Sequence, residues 1–329
     1  MTKSLVYHEK SIENLSFLVT GGAGFIGSNL VEYLLQNGAK KVRVLDDLSN
    51  GHYKNIVPFL NHPCFEYVEG DIRDLITCQE ACKDMDLVSH QAALGSVPRS
   101  IKDPITTNEV NITGFLNMLI AVRDNNIKRM VYAASSSTYG DSKELPKIEH
   151  KIGNPLSPYA VTKYVNELYA NVFANTYQME LIGLRYFNVF GPNQDPSGAY
   201  AAVIPTFMKA VLEGKSAVIN GDGEHTRDFT FVQNTIQANV KALLTTNQKA
   251  INQVFNIACG KKTSLNELWN LLNTITGSSI KVQRTENRQG DIKDSLADIS
   301  KAKTILNYNP EISVKEGLIL THKWFITKS

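Results

Sequence analysis

The stretch from Ser16 to Leu35 limits the folds open to this chain more than any other. It begins with an apolar run ending at Leu18-Val19, the length of a buried strand. Thr20-Gly21-Gly22-Ala23-Gly24-Phe25-Ile26-Gly27 follows. Phe25, Ile26, Leu30, Val31, Leu34 and Leu35 then recur at helical spacing, and Asn37-Gly38 stops the helix. Strand, glycine turn and helix make a dinucleotide site for a physical reason. The turn must be tight, and its backbone must come within hydrogen-bond reach of a pyrophosphate. Side chains would block both, which accounts for Gly21, Gly24 and Gly27. The helix N-terminus adds unpaired N–H groups and a partial positive charge.

A second strand, Lys41 to Leu45, ends at Asp46-Asp47. Asp46 lies about twenty residues past the glycines, where an acid accepts the adenosine ribose hydroxyls. An acid there also repels a 2′-phosphate, and no arginine follows in Leu48-Ser49-Asn50-Gly51. The expected cofactor is therefore NAD rather than NADP.

The rest of the first half keeps the same rhythm. Strands are expected at Phe65–Val68, Met85–Val88, Arg129–Ala134 and Leu181–Tyr186. Helices are expected at Leu75–Cys82, from about Pro104 to Arg123, and from about Ser157 to Tyr177. Alternation at this spacing predicts an α/β fold: a doubly wound parallel sheet of Rossmann type with helices on both faces. Ligands in such sheets bind beyond the strand C-termini. Gly21, Asp46, Asp71, Ala92, Ser135 and Phe187 stand there. Past Gly191-Pro192 the segments shorten, with helices expected at Asn266–Thr276, Ile299–Leu306 and Val314–Phe325. The expected division is a cofactor domain over 1–190 and a smaller substrate-binding region over 191–329. Residues 1–14 read as a short polar leader helix.

Composition excludes several functions. The formal net charge is +2 with no long basic run, which gives no support for nucleic-acid binding. No apolar run reaches membrane-span length, and the N-terminus lacks a signal core. Cys64, Cys78, Cys82 and Cys259 show no metal-ligand spacing, so no metal is expected. Unpaired thiols fit a reducing cytoplasm.

Tyr159-Ala-Val-Thr-Lys163 carries the chemistry. Residues four apart share a helix face, so the ammonium lies near the phenol. A nearby cation favours phenolate, and an oxidised nicotinamide adds positive charge in the same place. Such a tyrosine can take a proton from an alcohol whose carbon gives hydride to the cofactor. A serine hydroxyl from Ser135-Ser136-Ser137, ending the fifth strand, can orient the reacting oxygen.

Together these residues resemble the extended short-chain dehydrogenase/reductase family. The resemblance rests on the glycine pattern, Asp71-Ile72, His90-Gln91-Ala92-Ala93, the serine run before Tyr139-Gly140, Tyr159 with Lys163, and Arg185-Tyr186-Phe187-Asn188. It continues through Gly223, Arg227-Asp228, Arg288-Gln289-Gly290-Asp291 and Ala297-Asp298, from about Ser16 to Phe325. That set resembles members acting on nucleotide sugars. Ala93-Leu94-Gly95-Ser96-Val97-Pro98-Arg99-Ser100 looks most like bacterial UDP-N-acetylglucosamine 4-epimerases of the polysaccharide-biosynthesis type.

The resemblance implies roles. Tyr159 would be the base, Lys163 its partner and a ribose ligand, and Ser135 the catalytic hydroxyl, with Ser136 or Ser137 as alternatives. NAD would lie against Gly21, Gly24, Phe25, Ile26, Gly27, Asp46, Asp47, Asn50, Gly51, Gln91, Ala92, Ala93, Asn108 and Phe187, with Asp71-Ile72 holding adenine. Ser96, Asn188, Ala202, Val203, Asn220, Arg227, Arg288 and Asp291 would line the nucleotide-sugar pocket with the serines and Tyr159. The forked, permanently charged arginines suit a diphosphate. Val218 stands where relatives often place an aromatic beside uracil. Ser295 would flank the sugar's 2-substituent, where a small residue tolerates an N-acetyl group. The implied reaction is reversible 4-epimerisation of UDP-GlcNAc and UDP-GalNAc through a 4-keto sugar, by a homodimer. Other UDP-sugar 4-epimerases and nucleotide-sugar dehydratases are the alternatives. The family dehydratases carry Asp-Glu after the catalytic Thr, and here Ser136-Ser137 take those places. Intact Tyr159 and Lys163 argue against a non-catalytic NAD-binding protein.

Overall fold

The structure, a computed structural model, describes residues 6–196, 202–286 and 294–328. The first half runs β1 (Ser16–Thr20), α1 (Phe25–Gln36), β2 (Lys41–Asp46), β3 (Phe65–Glu69), α2 (Leu75–Cys82), β4 (Leu87–His90), α3 (Val97–Lys102), α4 (Pro104–Asn108), a π turn (Glu109–Thr113), α5 (Gly114–Asp124), β5 (Arg129–Ser135), α6 (Pro158–Tyr177), β6 (Glu180–Tyr186) and β7 (Val189–Phe190). The second half adds α7 (Val203–Leu212), β8 (Val218–Asn220), β9 (Thr226–Arg227), β10 (Thr230–Phe231), α8 (Val232–Leu244), β11 (Val254–Ile257), β12 (Thr263–Ser264), α9 (Leu265–Thr276), β13 (Gln283–Thr285), α10 (Ser300–Leu306) and α11 (Val314–Lys328).

Seven strands form one sheet in the order β3-β2-β1-β4-β5-β6-β11, every neighbouring pair parallel. Strand side chains alternate between faces. Phe17 and Val19 of β1 join Leu30 and Leu34 of α1 and Val240 of α8 in one core. Leu18 points the other way, to Cys78 and Cys82 of α2, Met118 of α5 and Phe173 of α6. Burial on both faces explains the near-continuous apolar strands.

Two buried arginines fasten helix ends to the sheet. Arg43 on β2 donates from Nη1 to the carbonyls of Ala81 (2.9 Å) and Lys83 (2.7 Å) at the end of α2. Arg129 on β5 does the same for Leu243 (2.8 Å) and Thr245 (2.9 Å) at the end of α8. Those carbonyls have no partner within their helices, and a cation at a helix C-terminus also suits its dipole.

Three expectations are corrected. The boundary at residue 190 does not follow the layers, because β11 and α8 come from beyond it. β11 pairs with β6, which would otherwise be an open sheet edge. Residues 6–14 form no helix. Ile12 there is buried, and Tyr7 stacks on Tyr33 at 5.3 Å with its N–H donating to the Tyr33 hydroxyl (2.8 Å). The long helix from Pro104 is broken by the π turn, which turns Asn111 inward.

Candidate active site

The strand order reverses between β1 and β4, the switch point at which open parallel sheets bind ligands. A cleft of ≈ 730 Å³ opens there, walled by the C-terminal ends of β1, β2, β4, β5 and β6. Gly21, with φ +67°, makes the turn after β1, and a Cβ on it would stand 2.7 Å from the Ala92 nitrogen. Gly24 leads into α1 at the cleft wall. A Cβ there would approach only the Gly21 carbonyl, at 3.1 Å, so the space a pyrophosphate needs beside the helix N-terminus is open.

Asp46 is buried at the end of β2. Its Oδ2 accepts from the Ala23 N–H (2.9 Å) and its Oδ1 from the Leu48 N–H (2.9 Å). Each carboxylate oxygen keeps a lone pair for a ribose hydroxyl. Burial pushes its carboxyl up, against the pull of those two N–H donors. The Thr20 hydroxyl accepts from the Ala92 N–H (3.3 Å) and lies 2.8 Å from His90 Nδ1, tying the end of β4 to the glycine turn. Burial, then the Lys163 charge, pushes His90 down to about 3, so it stands neutral as part of the scaffold. A glycine cradle and an acid with acceptor capacity to spare fit NAD.

Ser135 ends β5, and Tyr159 and Lys163 lie one turn apart at the start of α6. All three line the cleft with Ser136. Ser157 caps α6 by accepting from the Ala160 N–H (3.2 Å), and Pro158 suits its first turn. A buried pair, Arg185 Nε to Glu167 Oε1 (2.8 Å) and Nη2 to Oε2 (2.7 Å), holds α6 against β6. Lys163 Nζ donates to the Ala133 carbonyl (2.8 Å). Burial pushes the Tyr159 phenol up, and the Ser135 hydroxyl pulls the other way. In the protein by itself, then, desolvation outweighs that hydrogen bond. The positive charge of an oxidised nicotinamide, once bound, would favour phenolate further.

Burial pushes Lys163 down to about 8 from the ordinary 10.5. Below about pH 8 the amine is charged in both folded and unfolded chains, and the folded state carries the full penalty. Between 8 and 10.5 the unfolded chain holds the extra proton, so stability rises with pH there. Lys163→Met removes the buried charge and keeps the stem. Cofactor-free Lys163→Met is expected to gain up to about 3 kcal/mol at pH 7, with the gain closing toward pH 10.5, and to lose turnover. Thermal melts across that range check it. An equal or lower melting point for the variant at pH 7 would refute the sign.

Most of the expected residues meet in this one cleft: Gly21, Gly24 to Gly27, Asp46, Asp47, Asn50, Gly51, Asp71, Ile72, Gln91 to Ala93, Ser96, Ser135, Ser136, Tyr159, Lys163, Asn188 and Ala202 all line it. Asn108 does not; it is exposed, one position round α4 from buried Thr107. The inward asparagine is Asn111, which receives the Leu94 N–H (2.8 Å) and donates to Thr162 Oγ1 (3.1 Å). Phe187 is wholly buried against Tyr139, and Tyr186 faces the cleft instead. Val203 opens α7, Val218 is exposed on β8, and Asn220 Oδ1 accepts from Thr285 Oγ1 (2.8 Å). Arg227 donates to the Thr226 carbonyl (2.9 Å), and Ser295 donates its N–H to that same carbonyl (3.1 Å). None of these five lines the described cleft. Arg288 and Asp291 lie outside the described residues.

Sequence reasoning missed two bridges at the cleft. Arg99 donates to Asn50 Oδ1 (2.9 Å), and His52 Nε2 meets Asp195 Oδ2 at 3.3 Å. Arg99 was findable as the arginine just past the β4 terminus, a guanidinium suited to a diphosphate. No sequence signal pairs His52 with Asp195.

This sheet, with a glycine cradle, an acid on β2 and a Ser–Tyr–Lys set between β5 and α6, defines a dinucleotide-dependent enzyme of the short-chain dehydrogenase/reductase type. The pattern of the NAD dependent epimerase/dehydratase family matches residues 17–258. The chain belongs to that family, and NAD is its cofactor. A UDP-N-acetylglucosamine 4-epimerase from Methanobrevibacter ruminantium, solved with UDP-N-acetylmuramic acid, is 40% identical with a TM-score of 0.90, over 96% of this chain and 99% of that one. The UDP-glucose 4-epimerase of Mycolicibacterium smegmatis is 36% identical over 95% of this chain and 99% of its own. The UDP-glucuronic acid 4-epimerase of Bacillus cereus, solved with UDP-glucuronic acid and NAD, is 32% identical over 96% of this chain and all of its own (100%), with a TM-score of 0.87. Among the described residues no helix is long and apolar enough to cross a membrane.

Proposed function

We propose that this protein interconverts UDP-N-acetylglucosamine and UDP-N-acetylgalactosamine by reversible oxidation and reduction at the sugar's C4. The observation that carries this reading is the convergence of Ser135, Tyr159 and Lys163 at the end of the cleft that fits NAD. Bound NAD supplies a hydride acceptor and donor that is regenerated in each cycle. Tyr159 takes the C4 hydroxyl proton and later returns it. Ser135 donates a hydrogen bond to that same oxygen, and Lys163 favours the phenolate and holds the cofactor's ribose. Inversion requires the 4-keto sugar to present its other face while its nucleotide stays anchored. Ser96, Asn188 and Ala202, which line the cleft, are assigned to that anchoring; the family resemblance adds Val203, Val218, Asn220, Arg227, Arg288 and Asp291 to the proposal. Ser136-Ser137 give the site no carboxyl group of the kind a dehydratase uses to remove water.

The choice of N-acetylated sugars rests on Ser295, the Ala93–Ser100 segment and the 40% identity to the Methanobrevibacter enzyme. Proton NMR of purified protein with UDP-GlcNAc and no added reductant tests it. UDP-GalNAc should appear until the two epimers equilibrate. A dehydrated product, or no product from UDP-GlcNAc beside turnover of UDP-glucose or UDP-glucuronate, would overturn it.

A cytoplasmic homodimer serving polysaccharide biosynthesis completes the reading. Its supporting surface is an apolar stripe of Val161, Leu168 and Val172 on α6 (46%, 50% and 54% exposed) next to Ile105 of α4 (71%). Light scattering should give twice the chain mass; a single-chain mass would dismiss the pair.

A further inference from the structure

We infer that Ser137 is a positioning residue for the reaction: it fixes the direction in which the Ser135 hydroxyl donates. The inference rests on the catalytic reading of Ser135 given above. A serine hydroxyl has one proton to give and two lone pairs to receive. Both lone pairs of Ser135 Oγ are taken from one side. The Ser137 N–H donates to it at 3.1 Å, and the Ser137 hydroxyl donates to it at 2.9 Å. The proton of Ser135 must therefore leave in another direction.

The local fold makes this arrangement rigid. Ser135 is extended (φ −145°, ψ 143°) and caps a short 3-10 turn, Ser136–Tyr139, that closes when the Gly140 N–H donates to the Ser137 carbonyl (3.1 Å). A serine side chain accepting from the N–H two residues on is a common turn device, but it fills only one lone pair. The Ser137 hydroxyl fills the second. Ser135 and Tyr159 line the cleft and Ser137 does not, so Ser137 acts through Ser135 and does not touch substrate. The one proton of Ser135 is left to point into the cleft, at the phenol in the free protein and at the sugar's O4 when substrate is bound. This also divides the labour among the three serines: Ser135 touches the reacting oxygen, and Ser137 sets its polarity.

Without the Ser137 hydroxyl, Ser135 keeps one fixed donor and gains an empty lone pair. Its O–H can then rotate away from the reacting oxygen, and the loss is felt where that oxygen carries developing charge, in the transition state. Ser137→Ala is expected to lower kcat about tenfold, the scale of one oriented hydrogen bond, and to leave KM for UDP-GlcNAc unchanged. The rising limb of the kcat–pH profile should move to higher pH, because the phenolate loses part of its donor. Ser137→Thr keeps both donors and should restore kcat and the profile. Ser135→Ala, measured alongside, should lose more than Ser137→Ala.

The outcomes separate cleanly. If Ser135→Ala keeps wild-type turnover, the catalytic reading of Ser135 fails, and this inference goes with it. If Ser135→Ala loses turnover while Ser137→Ala matches wild type, the inference alone is overturned. A Ser137→Ala defect that appears in KM or melting temperature, with an unmoved pH profile and no recovery in Ser137→Thr, would make Ser137 merely structural and also overturn it.

Discussion

Tyr159→Phe is expected to lower turnover by roughly 10²–10⁴-fold, the usual scale of general acid–base assistance, while leaving nucleotide-sugar affinity nearly unchanged. The substitution removes one oxygen and keeps the ring. α6 stays held by the Ser157 cap and the Arg185–Glu167 pair, neither of which involves the phenol. What is lost is the proton acceptor beside Ser135. Lys163 is not placed to replace it, because its ammonium is held on the Ala133 carbonyl. Affinity comes mainly from the nucleotide, remote from the reacting carbon, so a defect confined to the chemical step appears in kcat and kcat/KM together. Initial rates of epimer formation, beside calorimetric titration of the UDP-sugar, check both halves. Near-normal turnover of Tyr159→Phe would remove Tyr159 from the mechanism.

The parts of the molecule legible in the sequence are those whose demands are local. A tight turn against a pyrophosphate needs glycine where Gly21 and Gly24 stand, and an acid at a strand end can be counted off from it, as Asp46 can. Tyr159 and Lys163 share a helix face by arithmetic alone. The missed parts depend on where distant segments land. Val254 to Ile257 is a short apolar run amid irregular chain, and only the open edge of β6 makes it a strand of the main sheet. The one-residue offset of the π turn leaves no mark on the apolar periodicity. The resemblance placed Asn108 toward the cofactor, but Asn108 is exposed and Asn111, within the π turn, turns inward. The serine run shows the same limit at atomic scale. Three adjacent hydroxyls are equivalent on paper, and only the turn after β5 separates Ser135 and Ser136, which line the cleft, from Ser137 behind them.

Ser295→Tyr is expected to change which sugars are used. If the Ser295 side chain faces the sugar's 2-position, tyrosine fills the space that an N-acetyl group needs. The backbone there has little room to retreat. Ser295 donates to the Thr226 carbonyl (3.1 Å), and Asp294 accepts from the Thr226 hydroxyl (2.5 Å). Two residues on, the Ala297 N–H donates to Asp228 Oδ2 (3.2 Å). Asp228 is fully buried and also accepts from the N–H groups of Cys259 and Gly260 (3.0 Å each). If the side chain faces the sugar, a larger one on a segment held at Asp294, Ser295 and Ala297 has to displace the ligand. Forced overlap in a packed site costs roughly 1–3 kcal/mol or more, about a ten- to two-hundredfold loss. Turnover of UDP-GlcNAc and UDP-GalNAc should collapse accordingly. UDP-glucose and UDP-galactose carry only a hydroxyl at that carbon and should be spared. The readout is the ratio of kcat/KM values between the two sugar pairs, which general damage to the fold would leave alone. Equal losses on both pairs would mean that Ser295 does not read the 2-substituent, and the assignment to N-acetylated sugars would then rest on the Ala93–Ser100 segment and the identity to the Methanobrevibacter enzyme.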